Sequence, residues 1–228
     1  MTPDLTVQIY STDAENELQS ALEELATAGI LPEVKIQKPG TYAFLDWLIP
    51  TAVVLWASEK YFGAFLEEAG KDNYQALKSF TSKLFERTLG HGATVTRTIK
   101  IISGATKPDV VFSGNLSVMY KSTEGWTAKL LFPLDVTLHD YEIACQRFAR
   151  LVSSHVADPV DSPLSIEVKR LISTKSKGLP PSLQNSDATR NVSMLIYWNV
   201  SAECFYVADP VASSRSEMLV SHRLGADA

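Results

Sequence analysis

Cysteine is scarce in this chain. Cys145 and Cys204 are the only two in 228 residues, and they form no CxxC pair. That excludes a zinc ribbon and a disulfide scaffold. Uninterrupted apolar sequence is short as well. The longest uncharged run in the most apolar stretch, Trp47 to Ser58, is 12 residues, closed off by Asp46, Glu59 and Lys60. A membrane-spanning helix needs about 20. The four histidines (His91, His139, His155, His222) show no HxxxH or HExxH spacing, and GxSxG, P-loop and GxGxxG motifs are absent. The common signatures of metalloproteases, serine hydrolases and nucleotide-binding folds are therefore missing. Met1-Thr2-Pro3-Asp4 lacks the basic-then-apolar order of a signal peptide. Together with the cysteine usage this predicts a reducing, cytoplasmic location, with peripheral membrane contact as the variant of it.

What is present suits a globular protein. The chain is 45% hydrophobic with a net charge of -5, and its length lets one core bury most of its apolar surface. A pI of about 5.4 speaks against nucleic acid as a partner. The charge is uneven. Residues 1–70 carry 11 acidic and 3 basic side chains, whereas 71–107 carry 7 basic and 2 acidic.

The pattern predicts an α+β fold: a mainly antiparallel sheet with an N-terminal β-α-β unit, covered by about four helices. Thr6 to Tyr10 alternates and is β-branched, as a strand should be. Thr12-x-x-Glu15 fits a capping box, and Leu18, Leu22 and Leu25 recur at helical spacing. Gly29 and Pro32 then stop the helix before Val34 and Ile36 alternate with Lys35 and Gln37. Residues 42–66 are the most apolar stretch and read as helix, kinked at Pro50. A basic amphipathic helix is expected over 72–89. Strands are expected over 94–102, 110–112, 116–121, 126–132, 166–172, 192–199 and 203–208, and a helix over 140–156. His155 lies on the apolar stripe of that helix and reads as a buried, hydrogen-bonded histidine. Cys145, behind Asp140 and Glu142, reads as a core thiol. The chain divides into one domain over 1–209 (β-α-β over 1–38, helices over 41–90, strands and a helix over 93–209) and a loosely held tail over 210–228.

Two segments could carry function. In the first, Trp47, Leu48, Val54, Trp56, Tyr61 and Phe65 would form an apolar helical surface. Lys71, Lys78, Lys83 and Arg87 on the next helix would face anionic lipid or the acidic first third of another copy. The residues Ile49-Pro50-x-Ala52-Val53-Val54, Lys60-Tyr61-Phe62-x-x-Phe65-Leu66 and Gly70-Lys71-Asp72-x-Tyr74-x-x-Leu77-Lys78 resemble a segment of uncharacterised bacterial proteins, a hydrophobic helix followed by Gly-Lys-Asp-x-aromatic. The resemblance covers about residues 42–90. It implies a bacterial accessory or effector role, with defence against phage as the setting, and no catalytic residue. The expectation is a non-catalytic interaction module that docks another protein, in a larger complex or homo-oligomer, or a membrane, with no cofactor or metal.

The second segment supplies the alternative. Asp158 and Asp161 precede Glu167-Val168-Lys169. An aspartate followed by Glu-x-Lys on a strand is the layout of metal-dependent nucleases, in which carboxylates hold Mg²⁺ and the lysine positions the attacking water.

Overall fold

The computed structural model describes residues 5–10, 12–27, 32–36, 51–57, 71–95, 111–176, 192–216 and 218–225. The chain runs β1 (Leu5–Ile9), α1 (Thr12–Thr27), β2 (Glu33–Ile36), β3 (Val53–Ala57), α2 (Lys71–Thr88), β4 (Leu116–Lys121), β5 (Thr127–Leu131), α3 (Leu138–Ala157), α4 (Pro163–Ser176), β6 (Ser193–Asn199), β7 (Cys204–Ala208), α5 (Pro210–Ser216) and β8 (Ser221–Arg223). The eight strands make one sheet in the order β2-β1-β3-β4-β5-β6-β7-β8.

The sheet is mixed, which corrects the expectation of a mainly antiparallel one. β1 and β2, β3 and β4, and β5 and β6 pair parallel, while the other four contacts are antiparallel. The reason lies in the connections. Each parallel pair is separated in sequence by at least one long helix, and a helical crossover returns the chain in its starting direction. Only β4–β5 and β6–β7, joined by short turns, follow hairpin logic. In the β4–β5 turn Gly125 takes a φ of 96°, a conformation that favours glycine.

The four long helices share one face of the sheet. One core cluster joins Leu18, Ala21, Leu22 and Leu25 of α1, Phe80 and Leu84 of α2, Tyr141, Ala144, Phe148 and Val152 of α3, and Leu164 and Val168 of α4. They pack on the alternate strand residues Val7, Leu55, Val118, Leu130, Ile196 and Val207. The other face is buried in its middle too. Val54, Ser117, Lys129, Leu195 and Tyr197 are all shielded from solvent, and a second cluster forms around Phe112, Leu131, Leu195, Tyr197 and Ala208. Strands buried on both faces need no alternation of apolar and polar residues.

Three elements depart from the sequence reading. Residues 53–57, expected as helix, are the inner strand β3. A buried strand and a buried helix segment look alike as short apolar runs, and the β-branched pair Val53-Val54 behind Thr51 decides for the strand. Residues 166–172, expected as strand, lie in α4. Ser162 caps that helix, its hydroxyl accepting the Ser165 amide at 3.1 Å, and Pro163 fills the first helical position. Residues 210–223, expected within a loose tail, hold α5 and the edge strand β8. The expected strand over 94–102 lies outside the described residues beyond Val95, and Phe112 makes only an isolated bridge to Pro133. No helix among the described residues is long and apolar enough to cross a membrane.

Polar groups inside the helical layer serve the scaffold. His155 is buried, its Nδ1 lying 2.9 Å from Ser162 Oγ and 3.1 Å from Ser165 Oγ. It thereby locks the end of α3 to the start of α4. Cys145 packs against the main core, and burial pushes its thiol up to about 12. Iodoacetamide at pH 8 should therefore modify Cys145 on the order of a thousandfold more slowly than free cysteine, since the thiolate is the nucleophile. Peptide mapping after timed labelling checks this, and labelling of Cys145 at the free-cysteine rate would show that the thiol is solvated.

Candidate functional site

The Asp…Glu-x-Lys residues are all described. The fold gives Asp158, Glu167 and Lys169 separate structural tasks and leaves Asp161 exposed in the turn before α4. Asp158 Oδ1 accepts the amides of Val160 and Asp161 at 3.2 and 3.4 Å, so this carboxylate shapes the turn from α3 to α4. Glu167 is buried on α4, not on a strand. Its carboxylate accepts Arg170 Nη2 at 2.7 Å and lies 3.1 Å from His222 Nε2. That triad ties α4 to the edge strand β8. Lys169 Nζ donates to the Val160 carbonyl at 3.1 Å. Among the described residues no group of three or more His, Cys, Asp or Glu side chains could hold a metal ion.

The apolar docking residues fare differently. Trp47, Leu48, Tyr61 and Phe65 lie outside the described residues. Val54 belongs to β3, between β1 and β4, and is 2% exposed. It is therefore part of the interior and not a docking surface. Trp56 is a residue of the same inner strand.

The basic helix meets acid within its own chain. Lys83 is ion-paired with Glu24 of α1, and Ser79 Oγ donates to the same carboxylate at 3.3 Å. The lysine holds the Glu24 carboxyl below its usual range. Part of the charge asymmetry thus cancels across the α1–α2 contact. Lys71 opens α2, Lys78 is exposed on it, and Arg87 is exposed in its last turn, where the helix dipole favours a cation.

One surface does present unsatisfied potential, although its sequence reads as an ordinary second strand. β2 stands at the end of the sheet, paired only with β1 among the described residues. An edge strand carries a free row of amides and carbonyls that can template another strand. The parallel register sets Val34 beside Val7 and Ile36 beside Ile9. Val7 and Ile9 are completely buried, whereas Val34 is 40% and Ile36 49% exposed. The cause lies in α1. Its apolar stripe, Leu18, Ala21, Leu22 and Leu25, sits in the main core, and its exposed side leans through Glu24 on α2. The outermost strand is left half uncovered. On the opposite face Lys35 Nζ sits 2.9 Å from Glu33 Oε2. That ammonium holds the Glu33 carboxyl below its ordinary value. Thr6 Oγ1 adds a hydrogen bond to the same oxygen at 3.2 Å. Among the described residues the edge therefore combines backbone groups with no strand partner, two exposed aliphatic side chains on one face and an ordered opposite-charge pair on the other.

A cleft of about 230 Å³ lies elsewhere, at the carboxyl end of β5 and the start of α3, lined among others by Phe132, Val136, Trp198, Asp135 and Asp140. Asp140 is already engaged in the α3 cap, where Thr137 Oγ1 donates to its carboxylate at 2.7 Å and accepts its amide at 3.1 Å. Compared with family models, with characterised proteins and with solved structures, the chain matches none.

Proposed function

We propose that this protein is an interaction module that binds another protein by adding a β-strand to the open edge of β2. The observation that carries the reading is the half exposure of Val34 and Ile36 on a terminal strand whose inner neighbours are wholly buried. Strand addition draws affinity from main-chain hydrogen bonds and specificity from alternate side chains. Here Val34 and Ile36 supply the apolar contacts, and Glu33 and Lys35 select the partner by charge. The sequence-level expectation of an interaction module is kept, while its surface moves from the apolar run around Val54 to the sheet edge. No chemistry at Asp158, Asp161, Glu167 or Lys169 is needed for it.

The test uses the complex in the cells that make the protein. Cross-linked in intact cells before lysis, the wild-type chain should migrate above its 25.1 kDa. The double variant Val34→Lys, Ile36→Lys should migrate at the mass of the free chain. Both positions are exposed, so each change should alter stability by no more than about 0.5 kcal/mol, which a thermal melt of the purified variant verifies. A variant that folds and still runs with the wild-type complex rules out this edge.

A further inference from the structure

We infer that the partner of the β2 edge is a second copy of this chain, paired antiparallel about a two-fold axis through Val34. The inference rests on the interaction reading just given and names its partner. It comes from the order of charges along the strand, Glu33-Val34-Lys35. When two copies pair antiparallel with Val34 opposite Val34, Glu33 of each copy falls opposite Lys35 of the other. Both cross-strand charge pairs are then attractive, and the two-fold axis makes them equivalent. An axis on Lys35 would oppose two lysines, and an axis on Glu33 would oppose two glutamates. Axes between residues would set Val34 against Lys35 or against Glu33. Among these registers the Val34 axis alone satisfies all three positions.

Charged residues on an edge ordinarily discourage pairing with another chain. In this strand the two charges have opposite sign and equal distance from Val34, so the protection holds against axes on Glu33 or Lys35 and vanishes in this register. Each copy brings its own Glu33–Lys35 pair, and the dimer joins two such pairs into an alternating square of four charges. On the other face Val34 of one copy extends the apolar row of Val7 beside Val34 of the second. Ile36 falls opposite Pro32, which has no N–H to donate, and this ends the ladder. The closed two-fold arrangement merges two eight-stranded sheets into one continuous sheet. A four-residue strand pair buries less surface than the ~1,200 Å² of stable interfaces. The dimer is therefore a weak one, and protein concentration governs it.

Sedimentation of the purified full chain from about 1 to 300 µM spans the range in which such weak pairs form. Wild type should move from monomer towards dimer and no further. Glu33→Lys and Lys35→Glu should each weaken self-association about tenfold, because both sets of facing charges become alike. An equimolar mixture of the two variants should regain wild-type affinity as a heterodimer, since an edge bearing two lysines then faces an edge bearing two glutamates. The exchanged variant carrying both changes should pair with itself as wild type does. A wild type that stays monomeric, a mass that climbs without stopping at the dimer, single reversals without effect, or a mixture that gains nothing would each overturn the inference. If the native complex is lost on changing Val34 and Ile36 while purified wild type is monomeric, the edge binds a different protein. Only the second copy then falls.

Discussion

Val54→Asp should abolish cooperative folding, and the protein should be recovered only as insoluble material. Val54 is almost completely buried on β3, with Gln8 of β1 and Ser117 of β4 opposite it in register. A carboxylate placed there exchanges water for buried neighbours, and an unpaired buried charge costs several kcal/mol. The whole stability of a domain is about 5–15 kcal/mol, and β3 links the two halves of the sheet. Val54→Ala removes two methyl groups and should cost about 2 kcal/mol while leaving the protein folded. Solubility after expression and a urea titration of the alanine variant check both. The pair also separates the two places where a docking surface could lie. If Val54 bound a partner, the aspartate variant would be soluble, with a wild-type melt, and lose only its complex. If β2 binds the partner, Val54→Ala keeps the complex intact.

Val54 also shows where sequence reading fails. Local pattern located β1-α1-β2 because each piece carries its own signal: alternation in Thr6 to Ile9, leucines at helical spacing, then Pro32 and a second alternation. It located β4, β5, β6, β7 and α3 for the same reason. It mistook β3 because a strand buried on both faces loses its alternation, and Ala52 to Ala57 is then a plain apolar run. It mistook α4 because Ile166 and Val168 alternate with Glu167 and Lys169 by chance over four residues. The helical stripe becomes plain only when Leu164, Val168, Leu171 and Ile172 are read from the Ser162-Pro163 start. β8 is three polar residues, Ser221–Arg223, and exists as a strand through its pairing with β7 and the Glu167–His222 contact. The candidate site was visible residue by residue as Val34, Lys35 and Ile36. Its exposure was not, because which strand ends a sheet follows from strand order, and strand order is set by crossovers and not by local sequence.

Trp126→Ala should lower stability by about 3–5 kcal/mol, the range for removing a large buried aromatic side chain. In a domain of this size that corresponds to a fall in melting temperature of roughly 6–20 °C. Trp126 is 1% exposed, directly after the turn that closes the β4–β5 hairpin. Its ring meets Tyr120 of β4 edge-on at 5.5 Å and His155 of α3 edge-on at 5.0 Å. Its indole N–H donates to the Glu124 carboxylate at 3.3 Å. One side chain therefore joins the hairpin to the end of α3, where His155 holds Ser162 and Ser165 at the start of α4. The truncation leaves a cavity bordered by a polar ring whose partners sit on another helix, so collapse of the site is opposed by those hydrogen bonds and the full cavity cost is retained. Trp126→Phe keeps the apolar body and an aromatic edge, and should cost well under half as much. Urea titrations of the three proteins, compared at equal slope, measure both differences. A loss below about 1 kcal/mol for the alanine variant would mean that the hairpin and α3 are held together without this side chain.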